Sequence, residues 1–596
     1  MNRRGVLLSF SVFLAIGIVC FHVLTDPSKS SVGYMISDGE EVSLYFDEYY
    51  MPIRGIDIEG GTFFFLPSFI CMKLIDYSDS GIRLYNENGE LIERPLMNST
   101  QTVLVEVSGE GKVPYRVGFY QSANLYTLDV KLDGYQADAI SKEEYTKADM
   151  RIFSPDGKIM YESGNVGIKG RGNSTWDSEK KPYEIKLPEK ASIAGLRRSD
   201  NWTLLANAKD PTKMKNQIAY DLSRIFGLEY TTESEWVDLY INGEYMGNYQ
   251  ACHEPEIGQD SLDIRNLEVL NKKKLKNACR YENEYGKGYM YDGEIPYDIS
   301  GGYLIEYTQN DLYDEKESGF IIEKDKCFVI KSPNNAARDE VEFIQSITQN
   351  TDRILHENAG YGQYKVINRD SFAKRFLVDE ITLNNDAAFC SHFFYKKSGD
   401  DMLYAGPCWD YDKTCGYGAG DLHDYTNTIL NHRSNILDWN TKLMETEDFQ
   451  DYVWRVIAQE SRQIDQLINK GIDDYYSEIE SSIEMDHIRW KGRDAMQYDS
   501  VYDNVRYLKF FLYNRMQWLV EGKKIDASFN MPDVYEKTYH QLIYNMPDGS
   551  RETKTVEDGA QIETDAGWYY SDFPETPTFF VPVFQDMEVK YEGMGE

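Results

Sequence analysis

Gly406-Pro407-Cys408-Trp409-Asp410-Tyr411-Asp412-Lys413-Thr414-Cys415-Gly416 is the stretch on which the reading of this chain turns. It sets Asp410 and Asp412 beside Trp409 and Tyr411, directly after a short apolar run. Upstream, residues 371–383 carry Phe372, Phe376, Leu377 and Ile381 at helical spacing and lead into Asn384-Asn385-Asp386. His392 to Lys397 and Met402 to Gly406 read as two short strands turned by Ser398-Gly399-Asp400-Asp401. A helix, a loop aspartate, a hairpin and a second aspartate in that order bring the chain back to where it began. Asp386 and Asp410 are therefore expected to face one pocket. Carboxylates gathered there repel one another unless a hard cation such as Mg²⁺ joins them. The plainer reading is that each aspartate bonds only its own turn.

A second set of residues supplies positive charge. In Lys169-Gly170-Arg171-Gly172-Asn173-Ser174-Thr175-Trp176 two glycines flank an arginine, so backbone amides and a guanidinium can approach an anion closely. Lys181 to Leu187 alternates as a strand, with Tyr183, Ile185 and Leu187 on one face and Glu184 and Lys186 on the other. Asp210-Pro211-Thr212 reads as a helix start, followed by Met214, Ile218 and Leu222 on a buried face. Lys213 and Asn216 lie off that face, free to meet a ligand. Asn242-Gly243 joins strands Val237 to Ile241 and Tyr245 to Tyr249 as a hairpin, and Glu254 follows it. Segment 169–215 holds eleven basic against six acidic residues inside a chain of net charge −36.

KGRGNSTW (Lys169 to Trp176), KKPYEIKL (Lys180 to Leu187), INGEYMGNYQACHE (Ile241 to Glu254), the aspartate of NND and the run GPCWDYD stand in one order. Together they resemble the spore coat protein H (CotH) kinase family, atypical relatives of protein kinases, over residues 125–525. The resemblance implies an α+β fold with an atypical protein-kinase-like core. It also implies ATP- and Mg²⁺- (or Mn²⁺-) dependent phosphoryl transfer to Ser or Thr of a protein substrate. By that resemblance Asp410 holds metal, with Asp412 as a second ligand, and Asp386 orients or deprotonates the acceptor hydroxyl. Arg171 and Lys186 contact phosphates, Lys186 as the strand lysine that kinases use. Glu254 pairs with Lys186 or holds metal, and Glu306, in the strand-like run Gly302 to Tyr307, matches a family glutamate. One departure stands out. Protein kinases place a metal-binding Asn five residues after the loop aspartate, and here that position is Ser391, followed by His392.

Two other functions compete. One is a non-catalytic surface protein that binds wall carbohydrate or protein on a kinase-like scaffold. The other is a glycosidase with paired carboxylates, which leaves the basic segment without a role.

At 596 residues several domains are expected. The strong negative charge argues against a broad nucleic-acid surface. Aromatic residues reach 14%, with 46 tyrosines, as strand filler or as rings facing sugar or protein. Eight cysteines without a CxxC pair argue against zinc, and their scatter argues against a disulfide framework. Residues 5–24 carry no acid, Lys or Arg and follow Arg3 and Arg4. They predict an N-terminal transmembrane anchor within residues 1–29 and an extracytoplasmic body, where ATP is scarce. Secretion after signal cleavage is the alternative. Residues 30–124 read as a β-rich module, 258–300 as an insertion, 440–525 as helical and 526–596 as a small β module. In the helical part Val501, Val505, Leu508, Leu512, Met516 and Leu519 form one apolar stripe.

Overall fold

The computed structural model describes residues 31–591 apart from 38–41, 47–48, 108–110, 309–312, 324–325, 358–359, 417–422, 432–436, 491–497, 563–567, 571–572, 578–580 and a few single positions. The apolar span expected at residues 5–24 lies outside the described residues. Among those described, no helix is long and apolar enough to cross a membrane.

Alternating side chains close residues 126–252 into a seven-stranded barrel. Around it run Tyr126–Leu132, Thr146–Phe153, Ile159–Gly170, Tyr183–Ala191, Ser199–Leu205, Glu244–Cys252 and Ser234–Ile241. The last strand returns in parallel to the first, with Val237 opposite Tyr126. Leu128, Val130, Ile152, Ile168, Ile185, Leu187, Trp202 and Leu239 fill the interior. The expected hairpin forms, with Asn242 and Gly243 both at positive φ (52° and 82°). That is the conformation for which an Asn-Gly pair is suited.

A second, antiparallel sheet lies beside the barrel. Its order is Cys279–Asn283, Gly286–Met290, Gly319–Ile322, Lys326–Ser332, Tyr303–Thr308, His392–Lys396 and Leu403–Ala405. Part of the segment read as an insertion, 258–300, thus supplies two strands at one edge of this sheet. Its polar composition reflects an exposed edge, since Cys279, Arg280, Glu282 and Asn283 are all exposed. Helices Lys215–Ile225, Arg338–His356, Arg369–Thr382, Glu447–Gln466, Ile472–Trp490 and Val501–Lys523 pack with the sheet around one large core. The six stripe residues from Val501 to Leu519 are all buried in it.

The flanking β regions are not beads on a string. Residues 31–121 form sheets of four and five strands. Their core takes in Phe153, Tyr240 and Tyr245 of the barrel and Met485 of a helix. At the other end, Leu542, Val583, Phe584 and Val589 join the helical core. Arg506 ties the two parts together by pairing with Asp558 and donating to the Val534 carbonyl at 2.8 Å.

Three of the eleven cations of segment 169–215 are drawn off the surface. Lys180, Lys213 and Lys215 are buried. Lys180 and Lys213 both reach Asp486 on helix Ile472–Trp490, the latter at 3.1 Å. Lys213 is therefore turned inward, where the sequence placed it toward a ligand.

Candidate active site

Four neighbouring strands of the second sheet carry the site. Lys331 and Glu306 lie on the adjacent strands Lys326–Ser332 and Tyr303–Thr308. Asp386 and Ser391 precede His392–Lys396, and Asp410 and Asp412 follow Leu403–Ala405. The barrel adds Arg171 at the end of one strand and Glu254 just past another.

Tyr411 fixes the loop that carries Asp410 and Asp412. Its hydroxyl donates to Asp379 Oδ1 at 2.8 Å, which also accepts from Arg375 at 2.8 Å and Asn384 at 3.1 Å. The Tyr411 backbone N–H donates to Asn216 Oδ1 at 2.7 Å. Asn216, expected to meet a ligand, is thus an internal brace. The Cys415 amide closes the loop on the Thr382 carbonyl at 2.8 Å. Four non-glycine residues here hold left-handed backbone: Leu383 (φ 51°), Ser391 (φ 57°), Asp410 (φ 68°) and Cys415 (φ 53°). Such conformations are unfavourable and persist where the surrounding structure enforces them.

The expected neighbours Asp386, Asp410 and Asp412 act on one another by charge. Burial pushes the Asp410 carboxyl above its ordinary value, and the charge of Asp386 pushes it further. Asp412 is pushed up to about 7 by burial and by Asp410, with Asp386 adding. Lys413 answers part of this charge and lies 3.5 Å from Asp386 Oδ2. Ser391, at the position where kinases carry Asn, donates to Asp410 Oδ2 at 3.2 Å. His392 is buried and stacked on Phe394, and burial lowers it to about 3, so it stays neutral.

Opposite them is a group of fixed charges. Arg171 pairs with Glu254, and its guanidinium lies 5.7 Å from the Trp409 ring centre. Gly170 and Gly172 are required there. A Cβ on Gly170 would meet the Trp176 ring at 2.2 Å, and Gly172 has φ 81°. Lys331 Nζ is 3.4 Å from Glu254 and 3.6 Å from Glu306. Burial acts to raise the Glu254 carboxyl, but Lys331 and Arg171 outweigh it and hold it well below the usual range. Burial acts to lower Lys331, and its two glutamates outweigh that and hold it charged. The charge of Asp410 is felt at Arg171 and Glu306, so the two groups lie near each other.

Lys186 is the residue that the structure does not bring in. It pairs at 2.7 Å with Asp200 on the next strand, both side chains well exposed. Ile185 and Leu187 take the barrel interior, so Lys186 must face outward. Glu254, expected beside Lys186, is instead bound to Arg171 and Lys331. Lys331 was not singled out from the sequence. The one local hint is its place in a strand otherwise fully buried.

The oxygen-only donor set of Asp386, Asp410 and Asp412 fits a hard divalent cation. Burial raises Asp410 and Asp412 and repulsion between the aspartates adds to it; a bound cation removes that repulsion. Asp386, Asp410 and Asp412 stand wider apart than 4.8 Å; among the described residues, the group whose ligand atoms all lie within that distance of one another is Asp352, His356 and Asp438. There the Lys326 ammonium already stands 2.5 Å from Asp352 and 3.8 Å from Asp438. Trp439 Nε1 donates to Asp352 at 2.7 Å, so this cluster is a braced ion pair.

Residues 168–519, more than half of the chain, match the CotH kinase protein family. The chain belongs to that family. Inner spore coat protein H of Bacillus subtilis (strain 168) is 22% identical over 385 residues, covering 62% of this chain and 90% of that protein. Every residue of the candidate site, from Arg171 to Asp412, lies within the matched span. Cys71, Cys252, Cys279, Cys390, Cys408 and Cys415 are free thiols.

Proposed function

We propose that this protein transfers the γ-phosphoryl group of ATP to a Ser or Thr hydroxyl of a protein, on a kinase-like core formed by the barrel and the second sheet. What supports this reading is that Asp386, Asp410 and Asp412 act on one another by charge while Arg171 lies against Trp409, next to Asp410, whose charge it feels. Phosphoryl transfer asks mainly for positioning and charge neutralisation, and this arrangement offers both. Asp410, with Asp412 behind it, is the metal-holding carboxylate. A divalent ion bound there supplies charge neutralisation at the phosphates. Asp386, less buried and beside Lys413, accepts the proton of the acceptor hydroxyl. Arg171, held in place by Glu254, contacts a phosphate oxygen. Ser391 orients Asp410. The spore coat relative points to a coat protein as substrate. An anchor at residues 5–24 instead places the reaction at the outer cell surface, so the acceptor is a protein of the envelope or coat.

The test uses the full chain with γ-labelled ATP and Mg²⁺ or Mn²⁺, with and without a Ser/Thr-rich acceptor protein. Label is expected in the wild type and reduced ~100-fold or more in Asp410→Ala and Asp386→Ala. Absence of both label and nucleotide binding in the wild type would sink this reading in favour of a non-catalytic scaffold.

A further inference from the structure

The second sheet supplies a cation that neither the motifs nor the family resemblance singled out. Ile305 pairs with Ile330 and Leu304 with Ser332, so Lys331 is the extra residue of a β-bulge. Bulges re-aim a side chain and are common beside active sites. Here the bulge sets the ammonium among Glu254, Glu306 and the ring of Phe393, whose centre is 5.9 Å away. Phe393 stands opposite Glu306 on the next strand and comes two residues after Ser391. Lys331 therefore sits at the meeting point of the barrel, the sheet and the aspartate loops.

We propose that Lys331 is the residue that grips the nucleotide's phosphates, with Glu254 and Glu306 holding it ready. This rests on the phosphoryl-transfer reading above. A lysine ammonium has three donors and no acceptor. Its two carboxylate contacts, at 3.4 and 3.6 Å, are long for charged hydrogen bonds. They fix its position and leave donors that a phosphate oxygen can take at shorter range. Lys186, by contrast, is engaged at 2.7 Å on the outer face of the barrel. The side chain of Lys331 is 24% exposed, which is enough for a ligand to reach it. Arg171 shares Glu254 with Lys331, so one carboxylate sets the spacing of two cations suited to neighbouring phosphates.

The experiment measures binding of Mg·AMP-PNP and of adenosine to the full chain by calorimetry, for wild type, Lys331→Met and Lys186→Met. Loss of a charge-assisted contact predicts that Lys331→Met weakens AMP-PNP binding roughly tenfold or more and leaves adenosine binding nearly unchanged. Lys186→Met is expected to bind AMP-PNP as the wild type does. A second measurement needs no variant and decides the matter even if Lys331→Met fails to fold. Hydroxyl-radical footprinting of the wild type, which does not depend on the protonation of the amine and is read by mass spectrometry, should show Lys331 shielded by AMP-PNP but not by adenosine. If the wild type binds AMP-PNP while Lys331 is neither shielded nor needed, this assignment is overturned and the phosphoryl-transfer reading stands. Loss of binding in Lys186→Met alone would overturn it in favour of the barrel lysine. If the wild type binds no nucleotide, both fall together.

Discussion

At the scale of single residues, the site is a balance of repulsions. Asp412 is buried and Asp410 half-buried; Asp386 raises the cost of ionising Asp410, and Asp410 and Asp386 raise that of ionising Asp412. A neutral side chain of the same shape relieves that cost when no cation is present. Asp410→Asn is therefore expected to melt ~1–2 °C above the wild type in EDTA. Added Mg²⁺ should raise the melting temperature of the wild type and leave the variant where it was. A thermal shift assay in both buffers checks this, and equal Mg²⁺ responses would remove Asp410 from the metal site. The serine at position 391 shows why a motif position is not a role. Its hydroxyl is a donor to Asp410, whereas the kinase asparagine is a metal ligand.

At the scale of elements, buried charges join helices that share no sequence signal. Arg515 on helix Val501–Lys523 is fully buried. It pairs with Glu380 Oε1 at 2.9 Å and donates to the carbonyls of Glu380 (2.8 Å) and Tyr425 (2.9 Å). Arg515→Ala strands the Glu380 carboxylate and should cost about 3–5 kcal/mol in urea denaturation. Glu340 gives a pH test. It caps helix Arg338–His356 by accepting from the Ala337 amide at 2.8 Å and from Asn271 at 2.7 Å. Burial raises its carboxyl from 4.5 to about 7. The folded chain then holds a proton there that the unfolded chain has released. The contribution to stability is fully present below pH 4.5 and is lost as the pH rises to 7. Glu340→Gln should match the wild type near the acid end and exceed it by about 1–3 kcal/mol at pH 8. A constant difference across that range would argue against a raised carboxyl.

At the scale of the whole molecule, the barrel and the helical part are locked by Asp486. It is fully buried and meets Lys180, Lys213 and the Asn248 amide, the last at 2.9 Å. Without it two buried ammonium groups lose their counter-charge, so Asp486→Ala should destabilise by about 3–5 kcal/mol. Hydrogen exchange should rise together in strand Glu244–Cys252 and helix Ile472–Trp490, and a rise confined to one side would show that the two do not open as a unit. The net charge of −36 acts on the molecule as a whole. Self-repulsion is screened by salt, so the melting temperature should rise as NaCl is increased from about 20 mM to about 300 mM.

The sequence by itself determined what depends on neighbours in the chain. The hairpin at Asn242-Gly243, the apolar stripe of Val501–Lys523 and the helix–hairpin–aspartate order around Asp386 and Asp410 were all legible, because turn chemistry and periodicity are local. The family followed from the order of five short motifs. What only the tertiary structure decided is which cations meet those aspartates. Lys186 and Lys331 are both lysines in apolar strands, and alternation does not say which face of a strand looks into a cleft. A bulge opposite Leu304 and Ile305 and the pull of Glu254 turn Lys331 inward, while Asp200 keeps Lys186 outside. The inward turn of Lys180 and Lys213 likewise depends on Asp486, far away in sequence. Burying a charge is tolerated only when its partner is delivered by the fold, and delivery across such separations leaves no local trace.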